Sequence, residues 1–436
     1  MHKKIFALLL ALAMVLSLAA CGQSVGEAAP AAEAGSAAAA SAAEGSAEAP
    51  AEGALKVGFV YIGDASEPYT ANFIMAEDAI KAEFGDKVEC IAKYNVAEDA
   101  VEDPVRELCE AGCGIIFTTS FGYGATVKEM AQQYPDIQFC QATCADADDT
   151  VKNYHNYMGH IYQGRYVAGI VAGMKLQEMI DNGTVAADQA KIGYVAAFDY
   201  AEVISGYTAF LMGVRSIVPD VTMDVQYAGS WGDYDTEKTI ATALIEDGCC
   251  IISQHSDTTG PAEACEDAKA KGTEVYCVSY NQDMTDVAPN TCLISSRQDY
   301  APYEVAAVQA VLDGKGDTIA VDEGAGFEKG WVAMTELNTA IAAEGTQEKI
   351  DETVEAFKSG SLKATDVFKG PYTATNPYSN ETIDLNEGFA ENAETSAPAF
   401  GYVINEIMDM QNIPAGKNPR HRCLKRIIYN SAFSGT

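Results

Sequence analysis

What most constrains this chain is a repeated alternation of short apolar runs with amphipathic stretches, beginning abruptly at Leu55. Residues 56–62 form an apolar run that ends in Gly63-Asp64, and an amphipathic stretch follows over 72–84. The pairing recurs at 88–92 with 103–111 and at 114–119 with 125–133, and a further strand pattern lies at 137–140. A second series starts at 191–197 and continues through 222–227, 249–253 and 274–278, with helical patterns between. Strands of this kind alternating with helices read as parallel sheets covered on both faces. About 360 residues follow Leu55 before the chain changes character, more than one hydrophobic core usually serves. The expected fold is therefore α/β, with two doubly wound parallel-sheet lobes. Ligands of such sheets bind beyond the carboxyl ends of the strands, so the residues just after each apolar run are the candidates.

Ahead of the folded part, His2, Lys3 and Lys4 precede an apolar stretch over 5–18, too short and too early for a membrane-spanning helix. Leu18-Ala19-Ala20-Cys21 then has the pattern of a bacterial lipobox, with Cys21 as the acylated first residue. A second acyl group would make that attachment stable. An ordinary secretory signal with a chance cysteine is the plainer alternative. Residues 22–53, with no aromatic and no basic side chain, read as a flexible tether. The expected division is 1–21 signal, 22–53 tether, 54–159 plus 297–320 first lobe, and 160–296 plus 321–400 second lobe. The remainder, 401–436, turns basic from Lys417 and is expected to be a tail outside the fold. The lobes would then sit on the outer face of a cell membrane, held through lipid on Cys21.

Composition narrows the partners. With 63 acidic against 28 basic residues and a formal net charge of −35, the surface opposes nucleic acid and polyphosphate. It is compatible with a neutral or cationic small molecule. Twelve cysteines in a chain this long read as buried thiols packing as small hydrophobes, not as a disulfide scaffold. The four-residue spacings of Cys109 with Cys113 and Cys140 with Cys144 lack the histidines of a zinc site. Gly122-Tyr123-Gly124 does not continue into a phosphate loop, and neither Gly-x-Ser-x-Gly nor His-Glu-x-x-His occurs. His155, His160 and His255 are isolated. No metal, cofactor or catalytic residue is expected; a hydrolase or nucleoside phosphorylase is the enzyme-class alternative.

The strand ends carry aromatic, acidic and amide residues: Asp64 and Tyr69, then Phe121 and Tyr123, in the first series. The second series offers Phe198, Trp231, His255 with Asp257, and Asn281 with Asp283. Any one of them fits a solvated turn. Together they would flank a planar heterocycle with rings and read its edge with carboxylates and amides.

These residues sit within a family resemblance. Asn153-Tyr154-His155-Asn156-Tyr157, Tyr162-Gln163-Gly164-Arg165-Tyr166-Val167-Ala168-Gly169, Gly229-Ser230-Trp231 and Val367-Phe368-Lys369-Gly370-Pro371 resemble the basic membrane lipoprotein family. Its members are purine nucleoside receptor-type solute-binding proteins of ABC transporters. The resemblance implies a periplasmic-binding-protein type I fold with three hinge crossovers, placed near 158–160, 296–298 and 320–326. It implies a monomeric, non-enzymatic protein that clamps a purine nucleoside or base between its lobes and passes it to permease and ATPase subunits. Through it, Asp283 and Arg297 join the expected ligand set, and Tyr69 takes a ring role. Ala65-Ser66-Glu67-Pro68 and Gln254-His255-Ser256-Asp257 depart from the family pattern. Nucleoside, free base and another small polar ligand such as a sugar therefore stay open. So does a sensing receptor for a membrane signalling partner. Residues 336–358 read as helices broken near Glu344-Gly345 and belong with the second lobe.

Overall fold

The computed structural model describes residues 53–411; the signal with Cys21, the tether up to residue 52 and the basic tail lie outside the described residues. The chain opens with β1 (Leu55–Val60), α1 (Pro68–Phe84), β2 (Val88–Lys93), α2 (Glu102–Glu110), β3 (Cys113–Thr118), α3 (Gly124–Gln133), β4 (Gln138–Ala142) and β5 (Tyr154–Gly159). It continues through α4 (Ile161–Asp181), β6 (Lys191–Ala196), α5 (Ala201–Arg215), β7 (Thr222–Tyr227), α6 (Tyr234–Glu246), β8 (Ile251–His255), α7 (Gly260–Ala270), β9 (Tyr276–Tyr280) and β10 (Cys292–Gln298). After these come α8 (Ala301–Leu312), β11 (Asp322–Ala325), β12 (Val332–Met334), α9 (Thr346–Lys358) and α10 (Ala364–Val367). A small hairpin of β13 (Thr373–Thr375) and β14 (Thr382–Asp384), then β15 (Met408–Gln411), completes it.

The strands form two main sheets. One has the order β11-β5-β4-β3-β1-β2 and is parallel throughout. The other runs β12-β10-β9-β8-β6-β7-β15, with β12 the antiparallel member. The chain crosses between them after β5, after β10 and after β11. These are the doubly wound lobes and the three crossovers that the alternation and the resemblance pointed to. In each sheet the strand order reverses beside the first strand of its series, β1 against β3 and β6 against β8. That reversal leaves a crevice where two adjacent loops turn to opposite faces.

Two assignments differ from the sequence reading. Strand β11 pairs with β5 in the first sheet, although 321 onward was expected in the second lobe. Residues 401–411 are not tail: Val403, Ile404, Ile407 and Met408 are buried, and β15 lies parallel to β7. The apolar residues from Phe400 to Met408 belong to the core, and the basic character begins only beyond them. Residues 336–345 are irregular, and the helix there is α9 alone.

Helices α4 and α5 approach each other closely. Helix α4 is buried on nearly all sides, as its continuous apolar and small residues require. At the crossing, a Cβ added to Gly169 would fall 2.0 Å from the Phe210 carbonyl oxygen, and one added to Gly213 would fall 2.2 Å from that of Tyr166. Glycine is the side chain that this approach admits. The ten cysteines among the described residues are free thiols, buried except for the half-buried Cys90. Among these residues no helix is long and apolar enough to cross a membrane.

Candidate functional site

The carboxyl ends of both sheets face one cleft of about 230 Å³. From the first sheet it takes Ile62, Gly63 and Glu67 beyond β1, Tyr69 at the start of α1, Ser120 and Phe121 beyond β3, and Thr143 beyond β4. From the second it takes Glu202 in the first turn of α5, Trp231 and Gly232 beyond β7, His255 and Asp257 at and beyond the end of β8, and Tyr280 at the end of β9. Four aromatic rings thus come from two lobes. The Tyr69 hydroxyl donates to the Thr119 carbonyl, which fixes its ring at the entrance to α1. Phe198 stands behind the wall, edge-on to Trp231 with 5.1 Å between centroids, and stacked on Tyr200 at 5.1 Å.

Three acids line the cleft, and no lysine or arginine does. Glu67 caps α1, accepting from the backbone N–H groups of Tyr69 and Thr70 at 3.0 and 2.9 Å, yet burial still raises its pKa. Burial likewise pushes Glu202 up to about 7, against the pull of Arg165. Asp257 is raised well above the usual carboxylate range by burial and then by Glu67, Glu237 and Glu202. His255 is held well below its ordinary range by burial and by Arg165. Its Nε2 lies 3.5 Å from Glu202 Oε1. The carboxyls thus stand close enough to oppose one another's ionisation. They would be relieved by a ligand that donates hydrogen bonds or carries positive charge.

One hydrogen-bonded chain runs from this cleft across the lobes. Asn281 Nδ2 donates to Asp257 Oδ1 at 3.1 Å, and Asn281 Oδ1 accepts from Asn72 Nδ2, on α1 of the other lobe, at 3.2 Å. Asn281 adopts φ of +69°, a left-handed conformation that asparagine tolerates better than most residues. That turn directs its amide behind Asp257.

Of the residues expected from sequence, Tyr69, Phe121, Trp231, His255 and Asp257 meet in the cleft, and Phe198 and Asn281 support it from behind. The others lie elsewhere. Asp64 is turned to its own loop, accepting from Ser66 and Asn95. Tyr123 is buried in the first lobe, its hydroxyl donating to the Val96 carbonyl. Asp283 is exposed and accepts from the Thr285 N–H at 2.9 Å, because the turn at Asn281 carries the chain away from the cleft. Arg297 pairs with Asp299 at 3.1 Å; it lies on the opposite face of β10 from the buried Ser296 and Gln298. Ser120 and Tyr280 stand at strand ends, where the sequence places the cleft; Glu67, Glu202 and Thr143 were missed as cleft residues. Glu67 and Glu202 sit at helix starts a few positions past a strand, a signal that capping patterns can supply. Among the described residues no cluster of His, Cys, Asp and Glu side chains is arranged to hold a metal.

Residues 55–364 match the family model described as ABC transporter substrate-binding protein, PnrA-like. A purine-binding protein of Brucella abortus is 32% identical over 322 residues, covering 73% of this chain and 85% of that protein. A putative ABC transporter glucose-binding protein of Haloferax volcanii is 30% identical over 275 residues, covering 63% and 64%. Among solved structures, an ABC transporter solute-binding protein from Aeropyrum pernix is similar with a TM-score of 0.61 at 16% identity, over 71% of this chain and 92% of that one. That last likeness is one of fold.

Proposed function

The chain belongs to the family of PnrA-like ABC transporter substrate-binding proteins, and from that premise we propose that it captures a purine base or nucleoside for import. Proteins of this family bind a small solute and work with permease and ATPase subunits; they are not enzymes. The observation that carries the purine reading is the cleft lining itself: four rings from two lobes around three acceptor-rich acids, with no cation among them. A flat heterocycle offers faces to Tyr69, Phe121, Trp231 and Tyr280, and its ring N–H, amino or ribose hydroxyl donors suit the carboxyls. A phosphate would find no lysine or arginine in the lining to pair with. The Brucella relative named as purine-binding supports the same reading.

Ligand touching both lobes would favour the closed form by the difference in its affinity for the two forms. The bond from Asn72 to Asn281 is part of that closed form. Asn72→Ala removes one net hydrogen bond worth about 1 kcal/mol, so affinity by calorimetry is expected to fall about five-fold. Loss of thermal stability without loss of affinity would count against the link.

The test of the ligand is a thermal-shift screen with purine bases, nucleosides, their 5′-phosphates, sugars and amino acids. Purines are expected to raise Tm, since a ligand at a hundred times its Kd stabilises the folded state by about 2.7 kcal/mol. The 5′-phosphates should do so less or not at all. Stabilisation by a sugar with no response to purines would replace the purine reading with the one that the Haloferax relative favours. Attachment through lipid on Cys21, a monomeric state and an extracytoplasmic position complete the proposal. Cys21→Ser is expected to release the protein from membranes into the soluble fraction.

A further inference from the structure

Arg165, in the Tyr162-Gln163-Gly164-Arg165-Tyr166 stretch, lines no part of the cleft, yet it is 1% exposed and sits directly behind it. It projects from α4, just past the first crossover. Its guanidinium carbon lies 3.4 Å from the centroid of the Tyr280 ring, and Nη1 donates to the Gln254 carbonyl at 2.9 Å. Nε and Nη2 have no partner. Helix α5 closes the remaining side: a Cβ at Gly206 would lie 2.8 Å from His255 Nδ1 and 3.6 Å from Arg165 Nε. One buried cation therefore packs against the ends of β8 and β9 and the helix that carries Glu202. Burying a guanidinium with two donors unpaired is costly. An apolar side chain would fill this space at lower cost, so the position is using the charge.

We propose that Arg165 is a positioning residue for the cleft: it holds the Tyr280 ring and the end of β8, from which His255 enters the cleft, and places a buried positive charge behind Glu202. The inference rests on the cleft being the ligand site, not on which ligand enters. The groups that face Glu202 are His255, Arg165, Asp257 and Tyr280 of its own lobe, and Tyr69, Tyr300 and Cys144 of the other. Glu67 acts on this set through Asp257. Of these, Arg165 alone is a permanent cation. Its charge lowers the pKa of Glu202 and of His255 alike. Taking it away moves both groups up: Glu202 keeps its proton to higher pH, and His255 acquires one sooner as pH falls.

The experiment is an NMR titration of the ligand-free chain, with labelled histidine ring nitrogens and glutamate carboxyl carbons, over roughly pH 5 to 8, where histidine charge changes. Glu202→Gln and His255→Gln assign the two signals. In the wild type, His255 is expected to show a neutral ring across the range and Glu202 to titrate near its upper half. In Arg165→Met the Glu202 midpoint rises, while Arg165→Lys, which keeps the charge, leaves it in place. Should the Met variant not fold, Arg165→Gln carries the same expectation and retains a donor for the Gln254 carbonyl. A wild-type Glu202 midpoint in Arg165→Met or Arg165→Gln, or an equal rise in Arg165→Lys, would overturn the proposal. No ligand is needed for this readout, so its failure is distinct from failure of the purine reading in the thermal-shift screen.

Discussion

Gly169→Val is expected to destabilise the protein by about 3 kcal/mol, the upper range for overpacking a close-packed core. The obstacle is backbone, not a side chain that could swing away: the Phe210 carbonyl oxygen would lie 2.0 Å from the new Cβ, and the Gly213 Cα 3.0 Å. Helices α4 and α5 would have to separate. The buried rings of Tyr207 and Phe210 on α5, which pack on Tyr194 of β6, would move with them. Chemical denaturation checks the figure, with Gly183→Val as the comparison, since a Cβ at Gly183 meets nothing within 4 Å. At Gly183 the left-handed φ of +78° sets the cost instead of a clash. A loss at Gly169 below about 1 kcal/mol would show that the helix crossing does not require glycine there.

The largest functional effect is expected at Asp257. Its carboxyl lines the cleft and receives the Asn281 amide, so it serves ligand and closure together. Leaving a buried donor of the ligand without its acceptor costs about 1–3 kcal/mol. Asp257→Ala should therefore weaken binding of the purine identified by thermal shift by about one to two orders of magnitude. The ligand-free protein should hold its Tm or gain slightly, because one of three mutually opposed buried acids has gone. Calorimetry and a thermal scan on the same preparation separate the two effects. Unchanged affinity would remove Asp257 from the site.

The strands were legible because parallel strands buried on both faces are apolar runs, and β1, β3 and β6 are runs of that kind. Cleft residues immediately after a run were legible for the same reason, as Trp231, His255 and Asp257 illustrate. What failed was distance from the strand end. Asp283 is only a few positions past β9, but a single left-handed residue at 281 redirects the chain before it is reached. Arg297 failed through alternation: on a strand whose buried neighbours are Ser296 and Gln298, the odd position faces away. Glu202 was hidden because the loop after β6 spends four residues before α5 begins, so the acid enters the cleft from a helix. Arg165 was visible as part of a motif, but its place behind Tyr280 depends on a contact between segments more than a hundred positions apart.

The three crossovers also govern how the chain can acquire its shape. The first sheet is left with an open margin at β5 until β11 arrives some 160 residues later, and the second keeps one at β7 until β15 is available. Neither sheet can therefore be completed as its first strands emerge: one waits for β11 and the other for β15. Pairing of such distant segments is intrinsically slow, and in the interval each half presents an unpaired strand edge of the kind that recruits other chains. A protein wired in this order gains from being kept unfolded until its synthesis is finished, a condition that passage through a membrane in extended form would satisfy.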